Sequence, residues 1–171
     1  MNIVLFQPSF CFSDELKSSW SKNLITKPYS KTEFSSRIPI KHVGVEACLS
    51  LEHDTDSGSD YTAALVAMDS KWSSNDLSEY TDLQFTMYTD RNYKLQIFLK
   101  DGFDVDSSRV VISNNNITEP TREEISVDLS QFFENSSCNR EKIKNVGFIG
   151  GQKESYYISS LMITTEDSNA Y

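Results

Sequence analysis

Two alternating segments of the chain collect hydrogen-bonding and aromatic side chains on one strand parity, a mixture that suits a sugar ring. Residues 83–88 and 95–100 each alternate apolar with polar positions, so one parity of each predicted strand faces a core. The opposite parity carries Gln84, Thr86, Tyr88, Gln96, Phe98 and Lys100. If the strands pair as a hairpin, these six share one face, where aromatic rings stack on sugar C–H groups and polar groups bind hydroxyls. An ordinary solvated sheet face alternates in the same way, and the two aromatics are the reason to consider binding.

Two further residues join this candidate site. Arg91 lies in the turn between the two segments and can donate hydrogen bonds to the same ligand. Trp20 lies in a Ser-rich stretch and suits a stacking platform, whereas Trp72 is predicted to plug one end of the fold. The predicted carbohydrate-binding residues are therefore Gln84, Tyr88, Arg91, Gln96, Phe98, Lys100 and Trp20.

Catalytic and metal-binding motifs are absent from the sequence. It contains neither G-x-S-x-G nor H-E-x-x-H, and nothing pairs His42 or His53 with a nucleophile. Acidic residues cluster at 54–60 and 101–106, but the first cluster lacks the closing acid of a calcium loop, and solvated acidic loops are commoner. We predict no catalytic residue, no metal site and no cofactor. A two-carboxylate glycosidase stays open, because 25 acids provide many pairs that no signal places.

Recurrent period-2 alternation predicts nine or ten strands and no long helix. One phrase occurs twice, as Asp76-Leu77-Ser78 and Asp128-Leu129-Ser130, and it is typical of corners where strands cross between sheets. Parallel α/β folds are disfavoured because no helical segment of crossover length separates the strands. The sequence therefore predicts an all-β fold, an antiparallel β-sandwich, in a single domain over residues 1–171.

Composition restricts the partners of this domain. The net charge of −9, from 25 acidic and 16 basic residues, repels phosphate backbones, so nucleic acid and membrane surfaces are not expected partners. No apolar run is long enough to cross a membrane, and residues 1–12 lack the basic residues of a signal peptide. The three cysteines have neither a disulfide-framework spacing nor a zinc spacing, so no disulfide is expected to be needed for folding.

The chain resembles the jelly-roll carbohydrate-binding modules of cell-wall-degrading enzymes, which are galactose-binding-like β-sandwiches. Residues 125–132 are similar to the penultimate corner of those modules, residues 143–148 to the next strand, and residues 156–163 to the closing strand. Residues 72–85 are similar to the mid-domain corner. Ser159 and Ser160 stand where the modules often carry acids, so the structural calcium of the family is not expected here.

The resemblance implies a non-catalytic module that binds polysaccharide or oligosaccharide and is tethered to other domains of an extracellular protein. The alternative is a protein-interaction or structural β-sandwich without a glycan ligand, docking a partner through an aromatic patch at Phe10, Phe12 and Trp20.

Overall fold

Eleven antiparallel strands account for most of the described part of the chain. The computed structural model describes residues 2–6, 24–26, 30–34, 49–53, 62–69, 71–150 and 156–165. The strands are β1 Ile3–Phe6, β2 Leu24–Thr26, β3 Ser30–Phe34, β4 Leu49–His53, β5 Thr62–Ala67, β6 Asp82–Thr89, β7 Tyr93–Asp101, β8 Val110–Asn114, β9 Thr121–Asp128, β10 Ile143–Gly150 and β11 Tyr156–Thr164. A four-residue helix, α1, spans Ser130–Phe133, and a 3₁₀ turn spans Arg140–Lys142.

The strands form two sheets. Sheet 1 has six strands in the order β3-β4-β11-β6-β9, with β1 also pairing with β11. Sheet 2 has five strands in the order β2-β5-β10-β7-β8. The predicted antiparallel β-sandwich of jelly-roll type is therefore confirmed. No helix in the described residues has the length and apolar character that crossing a membrane requires.

The two sheets bury one apolar core between them. Leu83, Phe85 and Met87 enter it from β6 of sheet 1. Sheet 2 contributes the alternate residues 93, 95, 97 and 99 of β7. The rings of Phe85 and Phe148 meet edge to face across the core, with centroids 5.8 Å apart. Because side chains alternate along a strand, burial of one parity directs the other parity to the outside of the sandwich.

The repeated sequence phrase forms two matching corners at one end of sheet 1. The carboxylates of Asp76 and Asp128 each accept the backbone N–H of the serine two residues later, at 2.9 Å, and the leucine between is fully buried. Arg140 supports the first corner by donating hydrogen bonds to the backbone carbonyls of Leu77, at 3.2 Å, and Tyr80, at 2.7 Å. These corners start β6 and end β9, which then lie side by side in sheet 1.

Side-chain hydrogen bonds connect the two sheets at their neighbouring edges. Glu123, on the inward parity of β9, accepts hydrogen bonds from the Tyr93 hydroxyl at 2.9 Å and the Asn114 amide at 2.8 Å. Burial, with this hydrogen bond and the charge of Glu123, raises the pKa of Tyr93. Because Glu123 faces inward, the residues on either side of it, Arg122 and Glu124, face outward.

The hairpin of β6 and β7, on which a shared polar face depended, does not form. The parity prediction was correct for both strands, but β6 pairs with β9 and β11 in sheet 1, whereas β7 pairs with β8 and β10 in sheet 2. The turn at residues 90–92 therefore carries the chain from one sheet to the other. Alternation along a strand defines its two faces, but the choice of partner strand depends on pairings distant in sequence.

Candidate functional site

The outer face of sheet 1 carries a shallow groove across three neighbouring strands, β11, β6 and β9. The groove has a volume of about 480 Å³. The residues that line it are Gln84, Phe85, Thr86, Glu124, Ile125, Ser126, Ser160 and Met162. From strand spacing and rise, this face measures about 10 Å across the strands and about 14 Å along them. An extended ligand can therefore lie on it.

Strand register arranges the outward side chains in three rows. The Cα pairings place Ser126, Gln84 and Met162 in one row, and Glu124, Thr86 and Ser160 in the next, while a third row holds Arg122, Tyr88 and Tyr157. The first two rows line the groove, and their hydrogen-bonding groups are mostly neutral amide and hydroxyl groups. Met162 adds a flexible apolar side chain to this surface.

A bulge in β11 shapes one side of the groove. Ile158 lies opposite Met87 and Ser160 lies opposite Thr86, so Ser159 is an extra residue between them. Ser159 is buried, whereas Ser160 lines the groove. Bulges re-aim neighbouring side chains, and this one brings the Ser160 hydroxyl into line with Thr86 and Glu124.

One ion pair lies at the rim of the groove. The Arg122 guanidinium is 3.0 Å from the Glu124 carboxylate, and both side chains are substantially exposed. A hydrogen bond with the Tyr88 side chain, followed by the one to Glu124, raises the pKa of Arg122. Exposed pairs of this kind contribute little to stability, and each of these two charges already has the other as its partner.

The expectation that Tyr88 and Phe98 stand exposed as stacking platforms is wrong. Tyr88 does lie on the outer face of sheet 1, but only 1% of it is exposed, and Phe98 is 5% exposed. Because β6 and β7 belong to different sheets, the two rings lie on opposite sides of the sandwich. Any contribution of Tyr88 to sugar binding therefore requires approach to a ring that the fold already covers.

The predicted residues of β7 form contacts with the segment that connects β7 to β8. Gln96 accepts a hydrogen bond from Arg109 at 3.0 Å, and Lys100 lies 3.5 Å from the Asp106 carboxylate. The Arg109 guanidinium also lies 5.7 Å from the centroid of the Phe98 ring. Gln96, Phe98 and Lys100 thus lie in a different sheet from Gln84.

Two predicted residues lie elsewhere. Arg91 is in the β6–β7 turn, where its side chain is exposed and contacts the neighbouring Asp90 carboxylate at 3.3 Å. Trp20 lies outside the described residues, as do Phe10 and Phe12 of the alternative docking patch. Trp72, predicted to plug the fold, is partly exposed in the loop before the first corner.

The acidic loop at residues 101–106 uses its carboxylates within the protein. Asp101 is buried, and its carboxylate accepts backbone N–H groups of Phe103, Val105 and Asn139 at 2.8–3.0 Å. Burial opposes its ionisation, but these hydrogen bonds prevail and hold the pKa of Asp101 below its usual value. The described residues contain no group of three or more His, Cys, Asp or Glu side chains arranged to hold a metal ion. The cluster at residues 54–60 lies outside the described residues.

Sequence reasoning placed Gln84 and Thr86 on this face and missed the groove-lining residues of β9 and β11. Arg122, Glu124 and Ser126 alternate with Glu123, Ile125 and Val127, so the parity of β9 was visible in the sequence. Their assembly beside Gln84 and Thr86 was not visible, because β6 and β9 are separated by more than thirty residues and two strands of the other sheet.

Comparison with solved structures identifies the same fold in carbohydrate-binding modules. A family 30 module of a cellulosomal cellulase of Clostridium thermocellum superposes with a TM-score of 0.62 at 14% identity, over 98% of this chain and 99% of that one. A second family 30 module gives a TM-score of 0.63 at 16% identity, over 98% and 89%. A family 11 module from a cellulosomal cellulase of the same organism gives 0.51 at 11% identity, over 83% and 86%.

Sequence comparison adds no relative to this structural similarity. No family model matches the chain, and no curated protein sequence matches it. The resemblance that the sequence suggested is thus confirmed at the level of tertiary structure: this chain has the jelly-roll β-sandwich fold of family 30 and family 11 carbohydrate-binding modules.

Proposed function

We propose that this chain is a non-catalytic carbohydrate-binding module whose ligand lies in the groove on the outer face of sheet 1. The observation that carries the proposal is the lining of that groove by the neutral hydrogen-bonding side chains of Gln84, Thr86, Ser126 and Ser160 beside Met162. Hydroxyl and amide groups match the hydroxyls of a neutral glycan, and an apolar side chain matches its C–H surface.

A neutral polysaccharide fits the charge of the protein better than an acidic one. The chain has a net charge of −9, which disfavours approach of a polyanion. Arg122, a basic residue at the rim of the groove, is already paired with Glu124. One of the similar solved structures, a family 11 module, is in complex with a β-1,3-1,4-mixed-linked tetrasaccharide, and this supports a mixed-linked β-glucan as the first ligand to test.

Binding without catalysis fits the acids of the groove. Glycoside hydrolysis generally requires two carboxyl groups flanking the scissile bond. Among the described groove-lining residues Glu124 is the single carboxylate, and it is engaged by Arg122. We therefore assign the groove a role in positioning a polysaccharide rather than in cleaving it.

A tethered, extracellular setting follows from this function. The same fold covers 23% of an exo-β-agarase, with a TM-score of 0.58 at 10% identity, so it also occurs as one part of a larger enzyme. A module attached in this way raises the effective concentration of its partner domain at an extended substrate. We propose that residues 1–171 form one such module, acting on polysaccharide outside the cell.

The proposal is tested by blocking the groove. Ser126→Trp places a large ring in the first row of side chains, whereas Ser113→Trp places the same ring on an exposed serine of β8, an edge strand of sheet 2. Affinity for mixed-linked β-glucan is measured by calorimetry and by affinity electrophoresis. We expect Ser126→Trp to weaken binding at least about tenfold, a change of about 1.4 kcal/mol, and Ser113→Trp to leave it unchanged.

Two results would overturn the proposal. Equal affinities of the two tryptophan variants would remove the groove as the site. Absence of binding by the wild-type chain to β-glucans, xylans and mannans would remove the carbohydrate function itself.

A further inference from the structure

A second surface, at the end of the sandwich, presents a rigidly held aromatic ring. The tight turn after β7 is organised by Asp101, whose buried carboxylate accepts the N–H groups of Phe103 and Val105 while its carbonyl accepts that of Asp104. Asp104 adopts a left-handed conformation, with φ 61°. The loop backbone is therefore ordered before any ligand arrives, and little conformational entropy is lost on binding.

The ring that this loop presents is open to solvent. Phe103 is 66% exposed, and the other large hydrophobic residue exposed among the described residues is Val111, at 49%. The Lys142 ammonium lies 5.1 Å from the centroid of the Phe103 ring. The exposed carboxylate of Asp104, the next residue in the chain, lies 3.8 Å from the partly exposed ammonium of Lys144. The exposed ring is thus contacted by one ammonium, and the next residue carries an exposed carboxylate.

The neighbouring loop repeats the same backbone device. The Asp69 carboxylate accepts the N–H groups of Lys71 and Ser73, and the Asp69 carbonyl accepts that of Trp72. Trp72 occupies the left-handed position, with φ 56°, which is unusual for a bulky residue and implies local strain held by the fold. In both loops, an aspartate carboxylate accepts the N–H groups two and four residues later, and each loop carries an aromatic residue.

The two loops are packed together. A Cβ atom added to Gly102 would lie 2.6 Å from the Ser74 hydroxyl oxygen, so this position has room only for glycine unless Ser74 moves. The Gly102 N–H also donates a hydrogen bond to the Lys142 carbonyl at 2.8 Å. Residues 71–75, the loop at 101–106 and the 3₁₀ turn before β10 therefore lie next to one another.

We propose that this end surface is a second glycan-contact site, in which a sugar ring stacks on Phe103 while its hydroxyls bind Lys142 and Asp104. The choice of ligand rests on the proposed function, because the groove and the end surface would engage the same polysaccharide. A ring with C–H faces and peripheral hydroxyls matches an aromatic platform bordered by an ammonium and a carboxylate. Two contacts on one extended chain increase its retention through avidity.

The test separates the two sites. Phe103→Ala removes the platform, and Val111→Ala truncates the other exposed hydrophobic side chain as a matched control. Retention of each variant on insoluble mixed-linked β-glucan is compared with that of the wild type. We expect Phe103→Ala to lower retention about fivefold or more through loss of avidity, and Val111→Ala to leave it unchanged.

A second measurement observes the site directly. In the Ser126→Trp background, the mixed-linked tetrasaccharide is titrated while backbone amide resonances are followed by NMR. We expect the amides of Gly102, Phe103 and Asp104 to shift with saturation, and Asp101→Asn, which disrupts the loop without altering the ring, to weaken this response.

The inference and the proposed function fail in different ways. If the wild type binds glycan but Phe103→Ala and Val111→Ala retain it equally and the loop amides do not shift, the groove stands and the end surface is not a site. If the wild type binds no glycan, both are overturned. A loop response that persists in the Phe103→Ala variant would also overturn the role of the ring.

Discussion

Replacement of Gly147 by alanine tests whether Phe98 packs on the backbone of sheet 2 or faces a ligand. Gly147 lies opposite Phe98 in the β10–β7 pairing. A Cβ atom at Gly147 would lie 2.1, 2.4 and 2.6 Å from three atoms of the Phe98 ring, although ordinary contacts begin at 3.4 Å. The ring must therefore withdraw by more than about 1 Å, and it loses contacts with its surroundings when it does so.

The magnitude follows from this clash. Overpacking of a well-filled site costs about 1–3 kcal/mol, and we expect Gly147→Ala to lower the free energy of unfolding by that amount. Phe98→Ala removes a ring that is 95% covered and lies near Arg109, and should cost about 3 kcal/mol. In the double variant the new methyl group meets open space, so the cost of Gly147→Ala should fall to within about 0.5 kcal/mol of zero.

The assay is a double-mutant cycle by urea unfolding, with the denaturant slope checked for constancy among the four proteins. A coupling energy of about 1–3 kcal/mol is expected. If Gly147→Ala costs the same with and without the Phe98 ring, the packing argument is refuted. Affinity for β-glucan provides the functional control: Phe98→Ala should leave it unchanged, because Phe98 lies on the sheet opposite the groove, whereas a stacking role would reduce it markedly.

Four further outcomes are expected. Phe85→Ala should cost about 3–5 kcal/mol of unfolding free energy in denaturant melts, because Phe85 is buried and packs edge to face against Phe148; a cost near zero would show that the ring is not in the core. Arg140→Ala should lower the unfolding free energy by about 2 kcal/mol, because two charged hydrogen bonds to backbone carbonyls are lost. Arg140→Lys should recover little of this loss, since one ammonium cannot reproduce the planar guanidinium, and full recovery would contradict this geometry. Because the pKa of Asp101 is lower in the folded protein, its ionised carboxylate stabilises the fold. This stability is fully present above the ordinary aspartate pKa and is lost as the pH falls through the folded-state pKa. Acid unfolding of Asp101→Asn should therefore depend less on pH than that of the wild type. Thermal midpoints should be equal with and without a chelator, and a large drop that calcium reverses would reveal a structural metal site.

The strand faces were largely predictable from the sequence, because alternation is a local property. Leu83, Phe85 and Met87 are core residues as their parity predicts, and Gln84 and Thr86 face outward. The repeated Asp-Leu-Ser phrase likewise identified both corners, since an aspartate that accepts the N–H two residues later needs no distant partner. The resemblance to jelly-roll modules rested on such local features in chain order, and tertiary structure confirmed it.

The site itself was decided by tertiary structure. Whether β7 pairs with β6 or crosses to the other sheet depends on competition among strands far apart in sequence, and no local pattern encodes the outcome. That outcome separates Gln84 from Gln96, brings Ser126 and Ser160 to Gln84, and covers Tyr88. Sequence alone therefore determined the sandwich and the inward or outward parity of alternating strands such as β6 and β7, and only long-range strand pairing decided which outward side chains meet in one groove.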